Sequence, residues 1–197
     1  MALPENLAPK ATITADSEYS ADYRATFVAN GKIAEECSRS DLGMAWAVNG
    51  QTHKAGASLT FRWEAPVEVR EVLYFGRTGW FLEESWSSCE VFCDDEVAPV
   101  ASVALAAAHG PQRITLPAAR TVGRLRLAFK NGGDRGPNPG ASEIMVFASP
   151  ASEQDLARFT NAYASEVSGS EASRQAQARL KAGELGFGKI EIGRAHV

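Results

Sequence analysis

An all-β, antiparallel sandwich followed by a helical segment is the fold class this sequence predicts, on three observations. Between about residues 10 and 148 the apolar residues come in short runs, several alternating with period two, as half-buried strands do. Turn residues separate the runs, and no amphipathic helix long enough to join parallel strands lies between them. After Phe147 the apolar spacing changes to three and four, the period of a helix with one buried stripe.

Taken in order, the segment Phe27-Val28-Ala29-Asn30-Gly31 supplies an Asn-Gly turn, and residues 58–63 alternate strictly with Leu59, Phe61 and Trp63 on one face. Pro66 is expected to end that strand, because proline cannot donate to a ladder. Residues 67–75 form a second run rich in β-branched and aromatic side chains; 87–93 alternate again before Asp94-Asp95-Glu96 offers a turn. Residues 100–105, 112–116, 124–129 and 143–147 read as the remaining strands. The Asn-Gly turn and Glu143 are expected to meet where the β-domain closes, giving an oxygen-lined corner that would seat a hard cation.

Ser149-Pro150 then offers an N-cap and first helical residue, followed by Leu156, Phe159, Tyr163 and Val167 as an apolar stripe. Ser168-Gly169-Ser170 interrupts it, and a weakly apolar helix is expected from Glu171 to about Ala182. Glu191-Ile192-Gly193-Arg194-Ala195-His196-Val197 can be encoded as GAG ATC GGA AGA GCA CAC GTC, similar to the opening of a widely used sequencing adapter. Native sequence is therefore expected to stop near Ile190, with the chain a fragment of a larger protein. The expected organisation is a leader remnant at 1–5, a β-domain at 6–148, a helical linker toward a missing downstream domain at 149–190, and an artefact at 191–197.

A net charge of −4 argues against a nucleic-acid groove or an anionic membrane surface, which want clustered Lys and Arg. No apolar run approaches the roughly 20 residues that span a bilayer. The opening Met1-Ala2-Leu3-Pro4-Glu5-Asn6 has neither a basic nor an apolar signal region. Cys89 and Cys93 sit four apart in one strand, about 13 Å between Cα atoms, too far to bridge, and are expected to be buried thiols. Cys37 lies in a polar loop, and with only His53, His109 and His196 no nitrogen-sulfur metal cluster is legible. No Gly-x-Ser-x-Gly elbow, phosphate loop or His-Glu-x-x-His occurs, so catalysis is not expected of this chain.

The loop 76–86 is the best candidate for ligand contact, since a simple hairpin needs only about two to five residues there. It carries Trp80, Phe81 and Trp86 with Arg77 and Glu84, the mixture of aromatic faces and planar polar groups that recognises sugars. The same rings would equally serve as core that anchors the loop. His53, Asn131 and Asn138, from two other loops, are candidates for the rim.

The series of motifs resembles the coagulation factor 5/8 type C, or discoidin, family, within the galactose-binding-like sandwiches that include bacterial carbohydrate-binding modules. Asn6-Leu7-Ala8 and Thr12-Ile13-Thr14-Ala15 resemble its opening strand, and Phe27-Val28-Ala29-Asn30-Gly31 its Ala-x-Asp-Gly turn. Met44-Ala45-Trp46 is similar to Thr-x-Trp, and Ser88-Cys89-Glu90-Val91-Phe92-Cys93-Asp94-Asp95 to its strand ending in Ser-x-Asp-Gly. Arg124-Leu125-Arg126-Leu127 and Glu143-Ile144-Met145-Val146-Phe147 are similar to its last strands. The resemblance implies an eight-stranded jelly roll and a structural calcium ion held by Asn30 and Glu143 with carbonyls near Phe27 and Lys32. Asn30 stands where the family has a carboxylate, which removes a negative charge and weakens the site; a plain turn beside a strand carboxylate is the other reading. Function by resemblance is non-catalytic binding of a carbohydrate or other extracellular polymer, in a secreted, periplasmic or cell-surface bacterial protein. A structural spacer or protein-interaction module that positions a downstream domain is the alternative.

Overall fold

The computed structural model describes residues 4–53, 55–131 and 137–157. Seven strands occur among them: β1 Thr12–Ala15, β2 Trp46–Ala47, β3 Gly56–Gly76, β4 Ser88–Cys93, β5 Ala101–Ala104, β6 Pro111–Lys130 and β7 Gly140–Phe147. Every pairing between them is antiparallel.

Two long, bent strands build the sandwich. The first half of β3 pairs with β1 and with the second half of β6, which continues to β4 and β5. The second half of β3 pairs with the first half of β6 and with β7, which continues to β2. Pro66 thus does not end a strand, and residues 112–116 and 124–129 are one strand rather than two. Pairing skips residues 63–66 between Arg62 and Val67, opposite Gly123, and at a second irregularity it skips 116–119 of β6 between Thr115 and Arg120, opposite Arg70. Pro66 and Pro117 fall in these unpaired stretches, where a missing N–H costs no ladder bond.

Between the two layers lie Leu59, Phe61, Val91, Leu125, Leu127 and Phe129 from one side and Val72, Tyr74, Ile114, Ile144 and Val146 from the other. Each such side chain contributes on the order of 1.5–3 kcal/mol by leaving water. The Tyr74 ring lies 5.3 Å from that of Phe129, and its hydroxyl donates to the Gly140 carbonyl and accepts from the Trp86 N–H. Cys89 and Cys93 are buried free thiols, as their strand position predicts.

Every residue of β7 is buried, which period two alone does not produce. A second apolar cluster explains it: Leu73, Phe75, Met145 and Phe147 on the outer face are covered by Ile33, Ala151 and Leu156. The chain is tied down there by the buried Glu71, which accepts from the Ala151 N–H at 2.7 Å, Arg113 at 2.6 Å and Thr115 Oγ1 at 3.1 Å. A helical turn follows at 153–157. Its cap is Ser152 rather than Ser149-Pro150: Ser152 Oγ accepts from the Asp155 N–H while Asp155 accepts from the Ser152 N–H, a reciprocal pair that satisfies two free donors. Leu156 packs partly buried on the sandwich; Phe159, Tyr163, Val167, the second helix and residues 191–197 lie outside the described residues. Among the described residues no helix is long and apolar enough to cross a membrane.

Candidate functional site

The closing corner forms as expected from its residues, but with hydrogen bonds in place. Gly31 takes φ +72°, the left-handed conformation glycine allows, and its N–H reaches Glu143 Oε2 at 3.2 Å. The Asn30 N–H also donates to Glu143, whose carboxyl is pushed up to about 9 by burial despite these two donors. Asn30 Oδ1 accepts from the Lys32 N–H at 3.0 Å, and its Nδ2 donates to the Gly43 carbonyl at 2.9 Å. Phe27 donates its own N–H to the Arg24 carbonyl. A calcium ion takes about 6–8 oxygen ligands; here the Asn30 amide donates to the Gly43 carbonyl, and the Glu143 carboxyl accepts two N–H groups. Among the described residues no three His, Cys, Asp or Glu side chains gather as a metal site.

At the end of the sandwich where β3 runs out, a cavity of about 240 Å³ opens. Arg77, Trp80, Phe81 and Glu84 of loop 76–86 form one side; Tyr19, Tyr23 and Ala47 another; Pro137 and Asn138, just before β7, a third. Under it lies a buried polar network. Arg77 Nε donates to Asp41 Oδ2 at 2.7 Å and one NH2 donates to Asp41 Oδ1 at 3.3 Å and the Tyr23 hydroxyl at 3.4 Å. The other NH2 donates to Glu84 Oε2 at 2.7 Å and the Asn138 carbonyl at 2.9 Å. The Arg77 guanidinium also lies 4.8 Å from the Tyr23 ring centroid, a cation–π contact. Asp41, 0% exposed, additionally accepts from the Tyr23 hydroxyl at 2.9 Å and from Trp80 Nε1 at 3.0 Å.

The local reason for this arrangement is the glycine at 79. A Cβ there would stand 2.8 Å from the Asp41 Cβ, so only glycine lets the loop lie against Asp41. Burial pushes the Glu84 carboxyl up to about 7 against the pull of Arg77; the two carboxylates hold the Arg77 guanidinium protonated despite its burial. Tyr19 packs edge-on to Tyr23 at 5.8 Å and leaves about half its surface exposed, 49%, as Phe81 leaves 40%.

Of the residues singled out from sequence, Arg77, Trp80, Phe81, Glu84 and Asn138 meet at this cavity. Trp86 does not: it is fully buried, its ring 5.9 Å from those of Trp46 and Phe129, so it anchors the loop as core. His53 is also outside the cavity wall, its Nδ1 2.9 Å from Thr52 Oγ1. Asn131 lies at the end of β6 and does not line the cavity. Sequence reasoning missed Tyr19, Tyr23 and Asp41. Their only signal was the spacing of two tyrosines in a loop.

Near the same loop, Thr78 Oγ1 meets His109 Nδ1 at 2.6 Å, and burial pushes that imidazole down to about 4. Burial also pushes the Cys37 thiol up to about 12, so it is not an activated nucleophile.

A family model described as "Domain of unknown function (DUF7402)" matches residues 6–147, the span of the sandwich. The chain belongs to the DUF7402 family. No curated protein matches this DUF7402 chain. Among solved structures, the DUF7402 domain is similar to a Clostridium perfringens domain, CpGH89CBM32-5, in complex with GalNAc-β-1,3-galactose, at 16% identity and TM-score 0.59, covering 73% of this chain and 100% of that one. It is similar to the family 32 carbohydrate-binding module of NanJ, also from C. perfringens and in complex with galactose, at 16% identity and TM-score 0.58, covering 72% and 97%. It also resembles an F5/8 type C domain from Bacteroides fragilis at 14% identity and TM-score 0.55, covering 70% and 90%. At these identities the likeness concerns fold: the DUF7402 domain has the discoidin-like β-sandwich of F5/8 type C domains and family 32 modules.

Proposed function

We propose that this DUF7402 domain is a non-catalytic carbohydrate-binding module whose ligand enters the cavity between Tyr19, Trp80 and Phe81. One observation carries the reading: exposed aromatic surface surrounds a cavity whose polar wall is held rigid by a buried, hydrogen-bonded network. Aromatic faces take the C–H surface of a pyranose, and preorganised polar groups orient its hydroxyls at little entropic cost. The similar folds solved with GalNAc-β-1,3-galactose and with galactose support the same class of ligand.

Absence of catalysis rests on the placement of the carboxylates. Asp41 and Glu84 converge on one guanidinium instead of facing each other across open space, and Asp41 has no exposed surface with which to activate water. The reading further holds that hydrogen bonds from Asn30 and Gly31, rather than a calcium ion, close the sandwich at Glu143. The setting that goes with it is a secreted or cell-surface bacterial protein of which this domain is one part.

Glycan-array binding and affinity electrophoresis against plant, algal and animal polysaccharides test the proposal. Retardation by at least one polymer, reduced about tenfold or more by Phe81→Ala at unchanged melting temperature, is the expected result. Binding to none, or binding indifferent to both Phe81→Ala and Trp80→Ala, overturns it. A positioning role for the chain that leaves the sandwich is the second reading, favoured by Glu71 holding the Ala151 N–H and by Leu156 packing on the outer face.

A further inference from the structure

The cavity's single cation among the described residues is spent. A guanidinium has five N–H donors, and Arg77 directs all five inward, to Asp41, Glu84, the Asn138 carbonyl and the Tyr23 hydroxyl. It is 3% exposed. A carboxylate, sulfate or phosphate on a ligand would find no free guanidinium donor there, and would lie over a network that holds two carboxylates for one cation. With Asp41 and Glu84 ionised the network carries two negative charges against one positive.

Resting on the carbohydrate-binding reading, we infer that the cavity takes a sugar without anionic groups and favours a pyranose bearing an ammonium over its uncharged counterpart. Three features act together. Glu84 is itself 2% exposed and bonded to Arg77, so it acts through space: together with Asp41 it leaves the network under the cavity net negative, which attracts a cation, and a nearby ammonium in turn keeps the Glu84 carboxylate ionised against the burial that raises its pKa. Exposed ring surface at Tyr19, Trp80 and Phe81 attracts ammonium groups through the ring quadrupole. The low local dielectric of a half-enclosed cavity strengthens both attractions relative to open water. A uronate loses on each count, because its charge is repelled by Glu84, gains nothing from the rings and cannot reach Arg77.

The test is isothermal titration of the whole chain with two matched stereochemical series. One contains glucosamine, N-acetylglucosamine and glucuronate oligomers, the other galactosamine, N-acetylgalactosamine and galacturonate oligomers, at about 20 and 300 mM salt. In whichever series binds, the amino member is expected to bind roughly 3- to 10-fold more tightly than its N-acetyl counterpart, with the advantage shrinking at high salt, and the uronate most weakly. Glu84→Gln should erase the amino preference; the salt comparison on the unmodified chain decides the matter if that variant does not fold. A uronate that binds as tightly as its series partners, or an amino preference insensitive to salt, overturns the inference and leaves carbohydrate binding standing. Binding to no member of either series, together with an empty glycan array, overturns carbohydrate binding itself.

Discussion

Replacing Asp41 by Asn is the sharpest probe of what holds the cavity together. The change is nearly isosteric, so it leaves the packing and removes a charge. Asp41 is fully buried and accepts from Tyr23, Trp80 and two nitrogens of Arg77, at 2.7 to 3.3 Å. An asparagine there presents an NH2 to donors on at least one side and leaves Arg77 with only Glu84 as a counter-ion. Glu84 still compensates the guanidinium, so the cost lies in the buried donors of Tyr23, Trp80 and Arg77 left without their acceptor, about 1–3 kcal/mol each and about 3–5 kcal/mol together. For a domain of this size that corresponds to a melting temperature lower by roughly 10–20 °C. Calorimetry measures it, with Glu96→Gln as control: the Arg120–Glu96 pair is 46% and 42% exposed, and such pairs contribute about 0–1 kcal/mol. Tryptophan fluorescence gives an independent reading. Trp46, Trp63 and Trp86 are buried and Trp80 is not, so release of its indole N–H from Asp41 should shift emission to the red. An Asp41→Asn variant that melts within about 3 °C of the unmodified chain, with unshifted emission, would refute the buried network as the cavity's support.

Other perturbations follow from the same geometry. Gly79→Ala puts a Cβ 2.8 Å from that of Asp41 and should cost about 1–3 kcal/mol in denaturant midpoint analysis; no loss would mean that the loop is not held against Asp41. His109 has its pKa lowered from 6.5 to about 4 by burial, so the unfolded chain takes up the proton first. Its contribution is present above about pH 6.5 and is lost as pH falls toward 4, up to roughly 3 kcal/mol; a stability profile that is flat over that window, or unchanged by His109→Gln, contradicts it. At the closing corner, a chelator should leave the melting temperature unchanged. Asn30→Asp loses the donor to the Gly43 carbonyl, costing about 1 kcal/mol without added cation, and regains stability in millimolar calcium; a chelator-induced drop in the unmodified chain would show that a cation is already part of the fold.

Strand-by-strand patterning was legible because it is local. Alternation in 58–63 and 87–93, and the continuous apolar run at 144–147, follow from which faces meet the core. The proline in β3 misled because its meaning depends on the partner: the pairing with β6 skips residues 63–66 against the single residue Gly123 and then resumes, so the strand bends there instead of ending. Loop 76–86 was legible as a gathering of aromatic and planar polar residues, and Arg77, Trp80, Phe81 and Glu84 from it line the cavity. Its aromatic residues divide by tertiary contact, Trp86 into the core and Trp80 and Phe81 to the cavity, and adjacent letters cannot make that division.

The chain's order of apolar runs, turn residues and one closing Asn-Gly/Glu143 pair was sufficient to specify an antiparallel sandwich, since each strand's burial is written in its own period. Only the tertiary structure brought Tyr19, Tyr23 and Asp41 against Arg77, Trp80 and Glu84. It also turned the Asn30 amide toward the Gly43 carbonyl. The reason is physical: hydrogen bonding and charge compensation depend on where donors and acceptors end in space, and residues 36 apart, such as Asp41 and Arg77, acquire a shared chemistry only after the sheets have packed.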